Sequence, residues 1–331
     1  MIRAGLVGAG RWGQTLVRAV AGKSDRIRFT RAVTRTPAKA EDFSKETGIP
    51  VTDDLGVLLA DPEIDAVVLA TPHSQHLEQI LAAAEAGKHI FVEKPLALDA
   101  SSARAAYDAA HAAGVVLALG HNRRCLPAFR RLETLVQEGR LGQILHAEGN
   151  FSGPSAFRQT RDNWRASLGE SPAGGMTGKG IHITDMMISL LGPAAAVSVL
   201  SARQVLDFGM DDTTLVTIRF ASGQTGSLST LTATPNDWRI QIYGSEGWAE
   251  IRDERRFRLR YSDQPDVEET FPVHDIERDI LEWFAATVEE GRPWPVTERQ
   301  AIANTALLEA IIRSIHEAGG AEVAVPLGGV T

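Results

Sequence analysis

The chain has 331 residues, of which 44% are hydrophobic and 23% are charged, and these values predict a globular protein of two domains with a hydrophobic core in each. The formal net charge of −8 argues against a nucleic-acid-binding surface, no apolar run is long enough to cross a bilayer, and the single cysteine, Cys125, excludes an internal disulfide. The first residues form a strand pattern rather than a signal peptide, so we expect a cytoplasmic protein.

Apolar runs alternate with helical patterns through the first 121 residues. The runs are IRAGLVG (2–8), IRFTRAV (27–33), DAVVLAT (65–71), HIFVEKP (89–95) and VVLALG (115–120). Strands and helices in succession, joined at Gly or Pro, are typical of a doubly wound parallel sheet. We therefore predict an α/β fold whose N-terminal part, residues 1–121, is a dinucleotide-binding Rossmann domain.

The first joint between a strand and a helix reads GAGRWG, residues 8–13. In this GxGxxG spacing, Gly8 permits a tight turn, Gly10 lets backbone amides approach a pyrophosphate, and Gly13 lets the helix pack closely on the sheet. Arg11 and Trp12 lie between these glycines. The segment therefore predicts a dinucleotide site, and an ordinary glycine turn is the alternative.

The ends of the next two apolar strands carry further candidate cofactor residues. Thr34 and Arg35 stand where an NAD site usually has Asp or Glu for the ribose. Because no carboxylate repels a 2′-phosphate there, and a guanidinium can pair with it, NADP is expected in preference to NAD. Thr71 and Pro72 end the strand at 65–71, at the edge where ligands bind. His76 is predicted to be either a cofactor neighbour or a packed histidine.

The strand at 89–95 ends in Glu93, Lys94 and Pro95. A buried ion pair is costly unless it has good partners or a function. Beside a nicotinamide, a lysine can polarise or protonate the oxygen of the carbon that exchanges hydride. Lys94 is thus a candidate catalytic residue and Glu93 a candidate cofactor neighbour. A structural ion pair between them is the alternative.

The second half of the chain has a different pattern. Six strand-like segments, 144–152, 195–205, 213–221, 225–233, 238–244 and 248–253, are mostly consecutive, and two long helical patterns follow them. Successive strands indicate an antiparallel sheet. We predict a substrate-binding and oligomerisation α+β domain over residues 122–331 with a large, mostly antiparallel open sheet. The basic segment RDERRFRLR (252–260) alternates as a strand with one solvated face, which is not the pattern of a nucleic-acid groove.

Five motifs together resemble the Gfo/Idh/MocA oxidoreductases over essentially the whole chain. They are GAGRWG, ATP (70–72), EKP (93–95), GHNRR (120–124) and a glycine-rich segment that ends in His182. The resemblance implies that Lys94 is catalytic, with a bond to Pro95 that is often cis, and that Asn122 borders the nicotinamide. Adjacent arginines point to opposite sides, so of the two that follow we expect Arg123 to reach the substrate.

The glycine-rich segment GGMTGKGIHITD, residues 174–185, does not have the spacing of a phosphate loop and instead predicts the start of a helix with His182 in its first turn. The resemblance makes His182 the catalytic histidine and places an aspartate where this chain has Gly178. Lys179 in the substrate site would lower the pKa of His182, whereas Asp185, one turn later, would orient the imidazole. No metal is expected, because His182 and Asp185 lack a third ligand.

The polar loop before this segment carries Trp164 and Arg165, which suit a sugar ring or an anion, or a contact at the rim of the site. The resemblance implies an NAD(P)-dependent dehydrogenase that acts on a secondary alcohol of a sugar, cyclitol or polyol, with Lys94 and His182 as acid/base groups. It also implies a homodimer or homotetramer formed through the C-terminal sheet. A redox-assisted glycosidase with retained NAD and a non-catalytic NAD(P)-binding sensor are the alternatives.

Overall fold

The structure is a computed structural model that describes residues 1–326. The strands are β1 Ile2–Val7, β2 Ile27–Val33, β3 Val51–Thr52, β4 Ala66–Leu69, β5 His89–Val92, β6 Leu117–Leu119, β7 Ile144–Ser152, β8 Ala194–Ala202, β9 Thr213–Phe220, β10 Thr225–Leu231, β11 Asp237–Gly244, β12 Gly247–Arg252, β13 Arg256–Tyr261, β14 Val267–Thr270 and β15 Val323–Ala324. The α-helices are α1 Arg11–Val20, α2 Glu41–Thr47, α3 Leu55–Leu59, α4 His76–Glu85, α5 Ala100–Ala113, α6 Pro127–Gln137, α7 Ile181–Leu191, α8 Ile276–Glu290 and α9 Glu298–His316. No helix within the described residues has the length and hydropathy to span a membrane.

The chain divides into two compact units. The first comprises residues 1–97, 101–122 and 275–297, and the second comprises residues 98–100, 123–274 and those from 298 onward. The sequence placed everything after residue 121 in one C-terminal domain, so the segment at 275–297 is the main difference from that division.

A six-stranded parallel sheet forms the first unit, with strand order β3-β2-β1-β4-β5-β6. This is the order of a Rossmann fold, so the predicted parallel sheet is confirmed. All four residues of β4 are buried, as expected when helices cover both faces of a sheet. The strand order reverses between β1 and β4, and ligands of open α/β sheets bind beyond the carboxyl ends of such strands.

The segment at 275–297 carries α8 and packs within the first unit. The ring of Phe284 on α8 lies edge-on to Phe91 of β5, with 5.8 Å between centroids, and 6.4 Å from Trp294. Arg26 and Glu290 form an ion pair of 2.6 Å within the same unit. The helical pattern in the sequence indicates that one face of α8 is apolar, but it does not indicate which sheet that face covers. The sequence therefore assigned α8 to the C-terminal domain from its position in the chain alone.

A nine-stranded sheet forms the second unit, with strand order β14-β13-β12-β11-β7-β10-β9-β8-β15. Neighbouring strands are antiparallel except β7 and β10, so the predicted mostly antiparallel sheet is confirmed. Helices α6, α7 and α9 pack on it. The strand predicted from RDERRFRLR is β13, in which Phe257 and Leu259 are buried and the alternate arginines are exposed. The edge strand β14 was not predicted.

Helix α7 lies unusually close to β7. A Cβ atom at Gly149 of β7 would stand 2.3 Å from Ile183 Cγ2, so a glycine is required at this crossing. A single π-helical turn, Met176–Gly180, precedes α7. Such wide turns occur mostly as short insertions at functional sites. The predicted helix start is confirmed, and His182 lies in the first turn of a helix that the sheet holds in place.

Candidate functional site

The glycine turn between β1 and α1 leaves space beside its backbone. Gly8 has φ +101°, and a Cβ at Gly13 would stand 2.1 Å from Gly8 O, so neither position accepts a side chain. A Cβ at Gly10, in contrast, would have no atom within 4 Å. Gly10 caps α1 without a side-chain hydrogen bond, which leaves the first amides of the helix available to an anion. The turn therefore fits a pyrophosphate.

Two residues of the turn and two at the end of β2 are the predicted coenzyme neighbours. Arg11 is exposed. The indole N–H of Trp12 is buried and faces the carboxyl group of Glu93, but the geometry between the two groups is not that of a normal hydrogen bond. Thr34 is half-buried, and its amide donates to Thr52 O at 2.9 Å. Arg35 is exposed, and its guanidinium makes no hydrogen bond or ion pair with any described residue. Arg35 therefore follows β2 with its charge available to a ligand.

The end of β4 is held by side chains of α4. The hydroxyl of Thr71 donates to Gln79 Oε1 at 2.6 Å, while Pro72 precedes the turn that leads into the helix. His76 is fully buried, with Nδ1 2.8 Å from Pro95 O and Nε2 3.3 Å from Thr71 O. Of the two roles predicted for His76, the contacts favour the packed histidine, because both ring nitrogens face backbone carbonyls that end β4 and β5.

The end of β5 brings together three ionisable groups and one amide. Glu93 is 8% exposed, and burial raises the pKa of its carboxyl group against the opposing effect of Lys94. Lys94 is half-buried, and its bond to Pro95 is cis, as the resemblance implies. Asn122 is buried and donates to Glu277 Oε1 at 3.1 Å. Lys94 thus follows the buried carboxyl group of Glu93 at the carboxyl edge of the sheet.

In the second unit, the ring of Phe151 is the centre of a basic cluster. His182 is 4% exposed, and its ring centroid lies 6.2 Å from that of Phe151. Arg123 Cζ lies 4.7 Å from the same centroid and Lys179 Nζ lies 5.9 Å from it. The structure therefore brings together three of the predicted substrate-site residues. Arg123 also forms a 2.8 Å ion pair with Glu254, which offsets its charge.

Asp185 forms a buried ion pair that the sequence did not predict. Its carboxylate accepts hydrogen bonds from Arg124 Nε at 2.6 Å and Arg124 Nη2 at 3.0 Å. Both side chains are almost fully buried, at 2% and 1% exposure. Asn304 also stabilises this turn, because its side-chain amide donates a hydrogen bond to Ile181 O at 3.1 Å. The first turn of α7, and with it the backbone of His182, is fixed by charged and polar contacts.

Trp164 and Arg165 are stacked on one another. Arg165 Cζ lies 4.1 Å above the indole centroid, and Asn163 caps this short turn by accepting from the amide of Arg165 at 3.1 Å. Both side chains are half-buried. The predicted role of Trp164 and Arg165 in substrate binding stays a prediction.

Phe151 and Arg158 are the site residues that sequence reasoning missed. Phe151 is the penultimate residue of β7 and has no motif of its own, although an aromatic residue just before the polar loop was an available signal. Arg158 lies in that loop and acts on Lys179 only through space, so no local pattern marks it. Among the described residues, no group of three His, Cys, Asp or Glu side chains is arranged to hold a metal.

Family models match both halves of the chain. Residues 2–121 match a model described as "Oxidoreductase family, NAD-binding Rossmann fold", and residues 129–250 match one described as "GFO/IDH/MocA C-terminal domain". These ranges contain the glycine turn, Lys94 and His182.

Two curated relatives and one solved structure show the same similarity over longer stretches. Inositol 2-dehydrogenase of Rhizobium meliloti (strain 1021) is 31% identical over 330 residues, which cover 96% of this chain and 97% of the relative. The scyllo-inositol 2-dehydrogenase (NAD(+)) of Bacillus subtilis (strain 168) is 30% identical, with 80% of each chain covered. Levoglucosan dehydrogenase in complex with NADH and levoglucosan is 25% identical, with a TM-score of 0.88 and with 98% of this chain and 99% of that chain covered.

Proposed function

Because the chain belongs to the Gfo/Idh/MocA oxidoreductases, we propose that it is a dehydrogenase of a secondary alcohol in a sugar, cyclitol or related polyol. One observation carries this proposal: the glycine turn after β1 and Lys94 after β5 both follow the carboxyl ends of strands in one parallel sheet. Catalysis of this kind needs a dinucleotide and an acid/base group at the same edge. The relatives named as inositol dehydrogenases support the substrate class.

The chain's own residues provide binding and proton transfer. When bound, a nicotinamide accepts or supplies the hydride. The open backbone at Gly10 would hold the pyrophosphate, since a Cβ there meets no atom within 4 Å. Lys94, as an ammonium, would donate a hydrogen bond to the alcohol oxygen and polarise it, and His182, as a neutral imidazole, would accept the hydroxyl proton. In the reverse direction, the same groups would return the proton to the oxygen of the ketone.

A panel of polyols and cyclitols tests this function. The purified protein is incubated with each compound and with NAD or NADP, and the absorbance of reduced nicotinamide is followed. Replacing Lys94 by Ala should lower kcat at least about 100-fold, because acid/base groups of this kind contribute about 10² to 10⁴. Lys88→Met is the matched control. Lys88 directly precedes the N-terminal end of β5, and its ammonium donates to Asp61 O and Ile64 O. Removal of this ammonium should therefore lower stability rather than kcat. An unchanged rate in Lys94→Ala would contradict the mechanism.

We propose that NADP is the preferred coenzyme, on the evidence of Arg35. The guanidinium is exposed after β2 and no carboxylate stands at Thr34, whereas one relative is named for NAD(+) and one solved relative is bound to NADH. Arg35→Ala should lower kcat/KM for NADP about 10- to 100-fold and that for NAD much less, because a charge-assisted hydrogen bond contributes about 1.5–3 kcal/mol. Thr34→Asp should shift the preference towards NAD. Equal losses with both coenzymes in Arg35→Ala would contradict the proposal.

We also propose that the chain forms a homodimer or homotetramer through the face of the nine-stranded sheet opposite its helices. Leu200 of β8 and Leu215 of β9 are 69% and 42% exposed. These side chains lie on paired positions of adjacent strands, since Leu200 and Leu215 are register partners. Light scattering after size exclusion measures the mass of the particle, and Leu200→Glu should reduce it. A monomeric wild type would contradict the proposal.

A further inference from the structure

Lys179 is a cation with few partners in the second unit. It lies in the π-helical turn directly before α7 and is half-buried. Its ammonium donates to Gly153 O at 3.2 Å and lies 5.9 Å from the ring centroid of Phe151. Within residues 1–326, no carboxylate lies within ion-pair distance of it. An ammonium has three donors, so one carbonyl and one ring face leave it incompletely solvated.

The charged groups around Lys179 are mostly of the same sign. Burial, together with repulsion from Arg158, lowers the pKa of Lys179 to about 8. At pH 7 the side chain is still protonated in a ratio of roughly ten to one. Arg123 and His182 contact the Phe151 ring that Lys179 also approaches, and the one acidic residue of this group, Glu254, is paired with Arg123. A positive group thus persists without a counterion, in a chain whose net charge is −8.

There is also room at the residue before this cation. A Cβ built at Gly178 would meet no atom within 4 Å outside its own turn and chain neighbours, and the backbone φ of Gly178 is outside the left-handed region. The space lies beside the turn that connects Lys179 to His182, which are three residues apart. The missing side chain of Gly178 and the charge of Lys179, which no described carboxylate offsets, are separate observations on adjacent residues of one turn. Both favour an occupant supplied by the ligand, and the charge favours an anion.

We propose that the substrate is an acidic sugar or cyclitol, whose carboxylate binds Lys179 in the space beside Gly178 and whose hydroxyl group faces His182. This inference rests on the proposed function, because it assumes that a polyol binds at His182. A carboxylate fits better than a phosphate, since its single negative charge matches the single positive charge of Lys179, whereas a phosphate monoester carries about −1.5 to −2 at neutral pH. The ion pair replaces the hydration that burial has removed from the lysine.

Matched substrates test the proposal in the complete protein with its coenzyme. The pairs are glucose with glucuronate and galactose with galacturonate, and glucose 6-phosphate is added as an anion of different geometry. In the wild type, we expect a higher kcat/KM for the carboxylate of a pair. Lys179→Met should lower the ratio of carboxylate to neutral substrate by about 10- to 100-fold, which is the effect of one charge-assisted hydrogen bond, and Lys179→Arg should restore part of it.

Gly178→Asp provides an independent variant with a matched control. The new carboxylate would occupy the space and pair with Lys179, so the preference should shift to the neutral member of each pair. Gly178→Asn has the same shape without the charge and should shift it less. The preference of the wild type should also weaken as the pH rises through about 8, where the free lysine loses its proton.

Several results would overturn the inference while leaving the proposed function intact: a wild type that prefers the neutral sugars or the phosphate, or a Lys179→Met variant with an unchanged ratio. If neither neutral nor acidic polyols are turned over, the proposed function fails. Calorimetric titration of the coenzyme-bound protein with glucuronate then tests whether the carboxylate site exists. Binding by the wild type that is lost in Lys179→Met supports the site, and no binding by the wild type overturns it.

Discussion

Replacing Lys179 by Met should make the protein more stable at neutral pH. Burial and repulsion from Arg158 lower the pKa of this lysine from 10.5 to about 8. At 1.36 kcal/mol for each pH unit, this fall corresponds to at most about 3.4 kcal/mol, and solvent around the exposed part of the side chain reduces the expected gain to about 1–2 kcal/mol. Binding sites often contain residues that lower the stability of the fold because their function requires them.

The pH dependence of this gain has a definite sign. In the unfolded chain, Lys179 keeps its proton up to about pH 10.5, whereas in the folded chain it releases the proton near pH 8. Between these values the unfolded state binds more protons, so the stability of the wild type rises with pH. The destabilisation by Lys179 is therefore fully present below pH 8. The advantage of Lys179→Met should shrink between pH 8 and pH 10.5.

Melting temperatures at pH 7, 8.5 and 10 measure this effect. For a unit of this size, 1 kcal/mol shifts the melting temperature by about 2–4 °C. Lys179→Gln is a second uncharged variant, which separates the loss of charge from the gain of an apolar side chain. Lys39→Met, at an exposed lysine, is the control and should have little effect. The reasoning is refuted if both Lys179 variants melt below the wild type at pH 7, or if their advantage does not shrink with pH.

Three further predictions concern residues that hold the fold around the site. Arg124→Met should lower the free energy of unfolding by about 3–5 kcal/mol in chemical denaturation, because it removes the ion-pair partner of the buried Asp185, and the double variant with Asp185→Leu should recover most of this loss. Asp212→Asn should lower the free energy of unfolding by about 1–3 kcal/mol at pH 7. Burial opposes ionisation of Asp212, but hydrogen bonds from three backbone N–H groups outweigh this effect and lower the pKa of the carboxyl group. The cost of the variant should therefore shrink as the pH falls below the ordinary range of a carboxyl group, because acid then protonates Asp212 in the wild type. Gly13→Ala should weaken NAD(P) binding, measured by quenching of tryptophan fluorescence, since its Cβ would stand 2.1 Å from Gly8 O; unchanged affinity would contradict the tight-turn argument.

The sequence predicted those features of the fold that depend on local patterns. Alternating apolar runs indicated the parallel sheet, successive strands indicated the antiparallel sheet, and the end of the glycine-rich segment indicated the start of α7. Each of these follows from side-chain periodicity or from the backbone freedom of glycine, and both properties act within a few residues.

Features that depend on contacts between distant residues could not be predicted in this way. Helix α8 has an ordinary amphipathic pattern, and its tertiary packing, such as that of Phe284 against Phe91, shows that it belongs with the parallel sheet. Arg124 and Asp185 are 61 residues apart, so no spacing rule joins them. Of the two adjacent arginines, the sequence favoured Arg123, and the structure gives each a different carboxylate partner.

The ion pair of Asp185 also bears on which residue tunes His182. Both carboxylate oxygens of Asp185 accept from Arg124, so the two opposite charges act at a distance as a dipole, whose field falls more steeply than that of a single charge. Lys179 has no such partner within the described residues, and it approaches the Phe151 ring that His182 also contacts. Of the two residues that the sequence proposed for this role, Lys179 is therefore the one whose charge no described carboxylate offsets. Its influence on His182 stays a prediction, and a bound carboxylate would offset that charge.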